Sequence, residues 1–299
     1  LVTLSTGCLA TMPPPPPVPP PGPVATAVTV EPCVLLNGEW KRPLADGVAG
    51  APDREWHQIA ISILVRHPAG PLLIDASIGR ALPKDFGDAP FWFRRSLGDW
   101  SRVRPTVELL HEAGVDPASI QRVLTTHVHW DHVGGLRDLP EAKALFWERD
   151  IDWALGLDGY VTSGVMPHQL QPIVPRIERY RMDGPPYEGF AASHDVLGDG
   201  SVVAVPLPGH TAGSTGFFVN SADGRRWLFS GDATWTVEGI RRPAHKSRLA
   251  AVVIDHDDER VAEGISLLHA LYRARPDVLI VPSHDMEAAG RLPLCQPGS

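Results

Sequence analysis

The sequence predicts a mixed α/β fold for the body of the chain, and three observations carry this prediction. Apolar stretches of strand length alternate with turn segments rich in Pro, Gly and Asp. Longer segments repeat their apolar residues at the spacing of an α-helix. Both kinds of segment occur in each half of the chain, which indicates two similar α/β halves within one layered domain. With 299 residues, 43% of them hydrophobic, the chain is long enough to bury a sizeable core.

In the first half of the body, residues 59–66 and 72–75 are predicted to be strands joined by a turn that contains Pro and Gly. Residues 106–114 are predicted to form a helix, because apolar residues recur on one face and a glycine ends the pattern. Residues 121–126 are a short strand that leads directly into a polar cluster.

In the second half, residues 201–207 and 214–232 are predicted to be strands, the latter divided by a hairpin turn at Asp223-Gly224. The clearest helix covers residues 258–276, where apolar residues recur at helical spacing up to a proline. Residues 277–285 are a final strand that runs into a loop.

The composition changes sharply near residue 30, which predicts a tail of residues 1–30 and a body of residues 31–299. An apolar run ending at Cys8 resembles the end of a bacterial lipoprotein signal, in which the cysteine receives the lipid. The Pro-rich run at 13–23 favours an extended spacer. The tail therefore predicts a periplasmic or membrane-anchored lipoprotein tethered through Cys8. The alternative is a Pro-rich tail on a cytoplasmic protein.

Charge and cysteine content exclude other classes. The net charge is −8 and no block of Lys or Arg occurs, so a nucleic-acid partner is not expected. No run of 18 apolar residues is present to form a membrane-spanning helix. The only cysteines are Cys8, Cys33 and Cys295, which excludes a thiolate-rich zinc finger. Cys33 and Cys295 either bridge the two ends of the body or are unpaired thiols.

The stretch THVHWDHVGG contains several polar residues that could all bind one metal ion or a pair of ions. It places His127, His129, Asp131 and His132 within six positions, and such groups need partners if they are buried. Three further candidate ligands each follow an apolar strand-like run, namely His210, Asp232 and His284. Imidazoles and carboxylates without thiolates suit zinc, and also iron, manganese or cobalt. The other eight histidines are interpreted as packing or surface residues.

The complete pattern resembles the metallo-β-lactamase superfamily of metallohydrolases over residues 34–291. The resemblance implies a four-layer αββα sandwich with two divalent metal ions at one sheet edge. It also implies a role for each candidate. The implied ligands of the first metal are His127, His129 and His210; those of the second are Asp131, His132 and His284; Asp232 bridges both.

Two such ions can share a hydroxide that attacks a substrate carbonyl, with Asp131 and Asp232 as the catalytic carboxylates. True β-lactamases of the superfamily generally lack the bridging aspartate, and only 15 residues follow His284, where glutathione thioesterases carry a further domain. The expected activity is therefore that of the lactonase-like branch, which opens N-acyl-homoserine lactones, acting on a lactone or another carboxylic ester. The alternatives are a phosphodiester, sulfate-ester or thioester hydrolase, or a non-catalytic binding lipoprotein. The expected partner is a small-molecule substrate; the sequence leaves the exact substrate, the native metal and the oligomeric state open.

Aromatic residues are candidates for the substrate pocket. Those singled out are Phe91, Trp92, Phe93, Trp130 and Trp235. They could form an apolar wall, contact a membrane or partner, or pack a loop against the body.

Trp235 occupies the position where related lactonases often carry a tyrosine, and an indole cannot readily transfer a proton. Tyr160, Tyr180 and Tyr187 are alternative sources of a hydroxyl. Residues 166–190 are expected to be a loop-and-lid insertion.

Overall fold

Two β-sheets form the centre of the structure, a computed structural model that describes residues 9–20, 26–89, 91, 102–157 and 164–297. The six strands of the first sheet follow one another in space as they do along the chain: β1 (Glu31–Pro43), β2 (Glu55–Arg66), β3 (Leu72–Ile74), β4 (Arg122–Leu124), β5 (Lys143–Trp147) and β6 (Ile177–Tyr180). The second sheet has five strands in the spatial order β11, β10, β9, β8, β7. They are β7 (His194–Asp195), β8 (Val202–Pro206), β9 (Thr215–Asn220), β10 (Arg226–Phe229) and β11 (Val278–Val281).

Helices connect the strands and cover the outer faces of the sheets. The α-helices are α1 (Leu44–Gly47), α2 (Leu82–Asp88), α3 (Thr106–Glu112), α4 (Trp130–Val133), α5 (Glu148–Leu155), α6 (Pro167–Leu170), α7 (Val237–Arg241), α8 (Arg248–Ile254), α9 (Asp258–Ala274) and α10 (Met286–Ala289). Short 3₁₀ turns lie at Pro117–Ser119, Gly134–Asp138 and Gln171–Arg176. The predicted helix at 106–114 ends where Gly114 adopts a φ of +71°. The predicted helix at 258–276 begins after Asp257, whose side chain accepts a hydrogen bond from the Arg260 amide.

The strands and helices pack in four layers, with an apolar cluster between each pair of neighbouring layers. Strand residues alternate between the two sheet faces, so Leu72 and Ile74 join the cluster between the sheets while Leu73 faces the helices. On the second sheet, Val203 and Val205 pack against α9 and α7. This helix–sheet–sheet–helix order confirms the predicted αββα sandwich.

The parallel strands explain where a site can form. Strands β3 to β6 are parallel, and β10 pairs in parallel with β11. The carboxyl ends of neighbouring parallel strands meet at one edge, and the loops that leave them therefore approach one another.

Several elements were not predicted from the sequence. Strands β1, β5 and β6 were missed. β6 lies within residues 166–190, so the expectation of a lid insertion there is wrong for its first part: α6, a 3₁₀ turn and β6 complete the first sheet and its cover. Leu170 and Ile173 are buried in the cluster outside that sheet.

A disulfide joins Cys33 to Cys295, with their Cα atoms 5.0 Å apart. Of the two possibilities that the sequence left open, a bridge or two unpaired thiols, the structure has the bridge. The bridge links β1 to the segment after α10, where the Val34 amide also donates to the Pro293 carbonyl. In the chain-entropy view, closing a loop of this length restricts the unfolded chain.

The Pro-rich segment predicted to be a spacer lies against the body. Ala10 and Pro13 form hydrogen bonds with side chains of the second half, and Val18 packs at the apolar cluster beside α9. Cys8 and the end of the Pro-rich run lie outside the described residues, so the lipid tether stays a prediction. Among the residues that the structure describes, no helix has the length and apolar character needed to cross a membrane.

Candidate metal centre

Loops that follow strand ends deliver the seven candidate ligands to one place. His127 and His129 follow β4, and the next residues, Asp131 and His132, lie in the short helix α4. His210 follows β8. Asp232 and His284 follow β10 and β11. Six of the seven are buried and Asp131 is half-buried.

Their ligand atoms form three overlapping groups, within each of which all atoms lie within 4.8 Å of one another. We call His127, His129 and His210 the three-histidine group. We call Asp131, His132 and His284 the carboxylate-containing group. The third group joins the other two: it consists of His127, His132 and Asp232. The structure thus brings together the residues that the resemblance had assigned to a first metal, a second metal and a bridge.

Asp232 lies between the two groups. Its Oδ2 is 2.9 Å from Nε2 of His284 and 3.5 Å from Nε2 of His210, and its Oδ1 is 3.5 Å from Nε2 of His132. Burial alone would raise the pKa of this carboxyl group, but the nearby His284 and His132 outweigh it and hold the pKa well below its usual value. Asp232 is therefore a carboxylate at neutral pH.

The Nδ1 atoms of four imidazoles face the protein. His132 Nδ1 is 2.8 Å from Asp75 Oδ2, and His210 Nδ1 is 2.6 Å from Asp255 Oδ1. His284 Nδ1 lies 2.6 Å from the carbonyl oxygen of Ile59. His127 Nδ1 lies 3.0 Å from the hydroxyl of Thr126. Such partners fix the ring orientation and leave Nε2 as the free ligand atom.

Most of the inward-facing ligand atoms lack hydrogen-bond partners within the described residues. Buried atoms without a hydrogen-bond partner in the described part of the chain include Nε2 of His127, His129, His132 and His210 and Oδ1 of Asp232. Leaving so many buried polar atoms unsatisfied is unfavourable unless something else binds them. Because all of them converge on one spot, this donor set fits bound metal ions.

The three-histidine group is held uncharged. Burial is the largest cause that lowers the pKa of His127, His129 and His210, and it lowers the first two well below the usual value. Neighbouring imidazoles add to the effect for His127 and His129, and the charge of Lys246 adds to it for His210. Neutral imidazole is the form that binds a metal.

The carboxylate-containing group behaves in the opposite way. Burial would lower the pKa of His132, but Asp75 and then Asp232 outweigh it and raise that pKa to about 10. For His284, Asp232 likewise outweighs burial and raises the pKa. Without a metal, these two imidazoles therefore hold their protons more tightly than an ordinary histidine does.

The supporting residues Asp75, Asp255 and Lys246 were not predicted from the sequence. Buried Lys246 donates to the Asp232 carbonyl at 2.9 Å and to Asp255 Oδ1 at 3.0 Å. Asp75 follows β3 just as the ligands follow their strands, which was a usable signal. Its φ of +58° is uncommon for a residue other than glycine and directs the carboxylate towards His132. No comparable sequence signal marks Asp255 or Lys246.

Backbone close to the ligands also fixes the site. Gly164 adopts a φ of +77°, and a Cβ atom there would lie 2.9 Å from Cδ2 of His129. Only glycine fits so close an approach. The Gly164 carbonyl accepts a hydrogen bond from the Trp130 amide, which ties this segment to the metal motif.

The aromatic residues predicted for the pocket are dispersed. Trp235 is half-buried beside the site, where its Nε1 donates to Asp232 Oδ2 at 2.9 Å. Trp130 is buried, and its ring centroid is 5.0 Å from that of Phe86, so the structure places it in packing and not on an open wall. Phe91 is 69% exposed. Trp92 and Phe93 lie outside the described residues.

Tyr180 and Tyr187 have other hydrogen-bond partners and do not supply the missing hydroxyl. Tyr180 is buried and donates to Thr215, and Tyr187 contacts Arg226 and Asn220. Tyr160 lies outside the described residues. The interpretation of Tyr180 and Tyr187 as sources of a catalytic hydroxyl is therefore corrected.

Comparisons with known proteins agree with this geometry. The family model of the metallo-beta-lactamase superfamily matches residues 59–284. A probable metallo-hydrolase of Mycobacterium tuberculosis is 26% identical over 235 residues, which cover 75% of this chain and 73% of that protein. The N-acyl homoserine lactonase AttM of Agrobacterium fabrum is 25% identical over 228 residues, which cover 75% of this chain and 81% of AttM.

A solved structure shares the fold. It is that of an N-acyl homoserine lactone hydrolase with the product N-hexanoyl-L-homoserine bound at its catalytic metal center. The two chains superpose with a TM-score of 0.64 at 17% identity, covering 89% of this chain and 98% of the other.

Proposed function

The chain belongs to the metallo-beta-lactamase superfamily, as its sequence pattern had indicated, and from this premise we propose that it is a dinuclear metal-dependent hydrolase. The proposed substrate is a lactone or another carboxylic ester, and the two bound ions would supply the hydroxide that serves as the nucleophile. The observation that carries the proposal is the convergence of buried ligand atoms without hydrogen-bond partners at the ends of strands β4, β8 and β10, beside His284 at the end of β11.

In this proposal the three-histidine group holds one ion and the carboxylate-containing group holds the other, with Asp232 between them. Imidazole and carboxylate donors suit zinc, which we propose as the metal, although iron, manganese and cobalt accept the same donors. When bound, two such ions lower the pKa of a shared water towards neutrality and polarise the substrate carbonyl.

Asp131 and Asp232 have different proposed roles because their side chains differ in exposure to solvent. The side chain of Asp232 is 4% exposed, whereas that of Asp131 is 12% exposed. Asp131 is therefore the carboxylate that an incoming substrate can reach. We assign it to take up the proton released by the attacking water and to pass it to the leaving alkoxide.

Trp235 acts through Asp232. Its indole N–H donates to Asp232 Oδ2 and fixes that carboxylate, but it cannot readily transfer its proton to a leaving group. This leaves Asp131 as the proton carrier among the described residues at the site. The similarity to the lactonase AttM supports a lactone as substrate.

A substrate panel on metal-loaded protein tests the proposal. We expect cleavage of an N-acyl homoserine lactone or a simple carboxylic ester, loss of this activity on chelation, and its return when zinc is added. Phosphodiesters, sulfate esters, thioesters and β-lactams are the competing substrates. If the protein cleaved only one of these competing substrates, the carboxylic ester would be the wrong substrate class. Full activity in metal-free protein would overturn the metal-dependent mechanism.

A matched pair of variants tests whether a loss of activity is specific to the metal centre. His129→Ala removes a member of the three-histidine group, whereas His111→Ala removes an exposed histidine of α3 outside the site. Activity is expected to fall only in the first variant.

A further inference from the structure

Residues 9–20 form what we call the N-terminal strap, because they are held against the second half of the body at several points. Ala10 lies at the start of α9. The Pro13 carbonyl accepts a hydrogen bond from Ser266 at 2.9 Å, further along the same helix. Val18 then packs at the apolar cluster that includes Phe190 and Leu268. The strap therefore runs along α9.

The contact at Ala10 joins two parts of the chain. The Ala10 amide donates to Asp258 Oδ2 at 2.8 Å. The Ala10 carbonyl oxygen is 2.8 Å from Nε2 of His245, which must carry the proton because a carbonyl can only accept. His245 is buried, and its own carbonyl accepts from the Ala49 amide at 2.7 Å. One strap residue thus ties His245 to Asp258.

The segment between those two residues carries the groups that support the metal ligands. Lys246 and Asp255 are each 1% exposed and form an ion pair at 3.0 Å. Lys246 also donates to the Asp232 carbonyl, and Asp255 faces Nδ1 of His210. A buried ion pair depends strongly on its geometry, because a displaced partner leaves an uncompensated charge.

We infer that the N-terminal strap is a positioning element for the metal centre. By tying His245 to Asp258, it holds Lys246 and Asp255 where they orient His210 and the loop of Asp232. The inference rests on the proposed function, since it assigns the strap an effect on metal binding. Loosening the strap at Ala10 weakens the three-histidine group through Asp255, whereas Asp75, which supports the other group, has no contact with the strap among the described residues.

The test uses single substitutions in the full chain. His245→Ala removes the donor to Ala10, and His245→Gln keeps a donor of similar reach. Ala10→Pro removes the amide that binds Asp258. Ser266→Ala is the matched control, because it removes a strap hydrogen bond that lies away from the 245–258 segment.

Zinc affinity is measured by competition with a chromophoric chelator, and amide hydrogen exchange of residues 244–258 is measured in metal-free protein. We expect His245→Ala and Ala10→Pro to weaken one zinc-binding step about threefold to tenfold, below the roughly 10–100-fold range of losing a direct partner of a ligand. That step should be the one that Asp255→Asn weakens, and not the one that Asp75→Asn weakens. His245→Gln should restore it and Ser266→Ala should leave it unchanged.

The outcomes separate the strap from the proposed function. Unchanged zinc affinity and unchanged exchange in both strap variants would overturn the inference while the hydrolase proposal stands. Zinc binding that responds as expected, in a chain that cleaves none of the esters, would support the strap and overturn the proposed activity. A wild-type chain that binds none of zinc, iron, manganese and cobalt overturns both. If His245→Ala does not fold, Ala10→Pro at the half-buried strap decides the matter alone.

Discussion

The two halves of the candidate metal centre hold their imidazoles in opposite ways. In the three-histidine group, burial lowers the pKa values of His127, His129 and His210 and keeps the rings neutral. In the carboxylate-containing group, nearby carboxylates raise the pKa values of His132 and His284.

The difference comes from the surroundings of the rings. Asp75 and Asp232 face His132, whereas Asp255, which faces His210, is also paired with Lys246. The lysine offsets the charge of Asp255 and so limits how strongly that carboxylate raises the pKa of His210. A metal that enters the carboxylate-containing group displaces protons, whereas one that enters the three-histidine group meets rings that are already neutral.

Asp232 is the residue that the two halves share, so Asp232→Ala is expected to have the largest effect. It removes the carboxylate that lies between the two groups, and we expect kcat to fall by at least about 10²–10³, which corresponds to several kcal/mol of lost transition-state stabilisation. Steady-state kinetics and circular dichroism measure activity and folding together. Normal turnover in the folded variant would contradict the bridging role.

Asp150 tests the packing beneath the three-histidine group. Its Oδ1 accepts from the Gly213 amide at 2.9 Å, and it also interacts with Thr211 and the backbone of Val128. Burial raises the pKa of this carboxyl to about 6. Because the folded pKa lies above the ordinary 3.8, the folded chain binds the proton more tightly, so stability falls as pH rises from about 4 to about 6.

Asp150→Asn should remove this pH dependence. The gap between the two pKa values corresponds to at most about 3 kcal/mol, so the metal-free variant should unfold at a higher temperature than the metal-free wild type at pH 7. The advantage should vanish below about pH 4. Equal or lower stability of the variant across the whole range would contradict a raised pKa at this position.

A matched pair of substitutions compares the two halves directly. Asp255→Asn and Asp75→Asn each replace the carboxylate that faces one ligand imidazole. We expect each to weaken zinc binding by roughly 10–100-fold, at a different binding step. Chelator competition resolves the two steps. If both variants weakened the same step equally, the separation into two halves would be wrong.

Trp235→Phe should have the smallest effect. It keeps an aromatic ring but removes the hydrogen bond to Asp232 Oδ2. A hydrogen bond to a charged group contributes about 1.5–3 kcal/mol at most, and water can replace part of it at this half-buried position, so we expect a fall in kcat of about tenfold or less. A fall as large as that of Asp232→Ala would show that the indole does more than orient the carboxylate.

The candidate metal ligands could be predicted from the sequence, but the residues that orient those ligands were not. The seven candidate ligands could be found because a local motif and three strand-to-loop junctions mark them. Asp75 and Asp255 contact ligands that lie 57 and 45 positions away along the chain, and no periodicity reports such contacts. The strap was missed because a run of prolines predicts an extended backbone without indicating what lies beside it.

In the fold, too, elements with a local sequence pattern were predicted and elements that depend on distant contacts were missed. Strands that are continuous apolar runs between turn residues were predicted, and so was the long helix α9, whose apolar residues recur at helical spacing. Strand β6 was missed because it has only four residues and follows a proline-rich turn. Its place in the first sheet depends on pairing with β5, which local sequence does not encode.

Titration of chelator-treated protein with zinc shows whether the two halves of the metal centre act together. Native mass spectrometry counts the ions bound per chain while cleavage of an N-acyl homoserine lactone is followed in the same samples. We expect that two zinc ions bind per chain and that full activity requires the second. Full activity with one ion bound, or saturation at a single ion, would contradict a centre built from two cooperating halves.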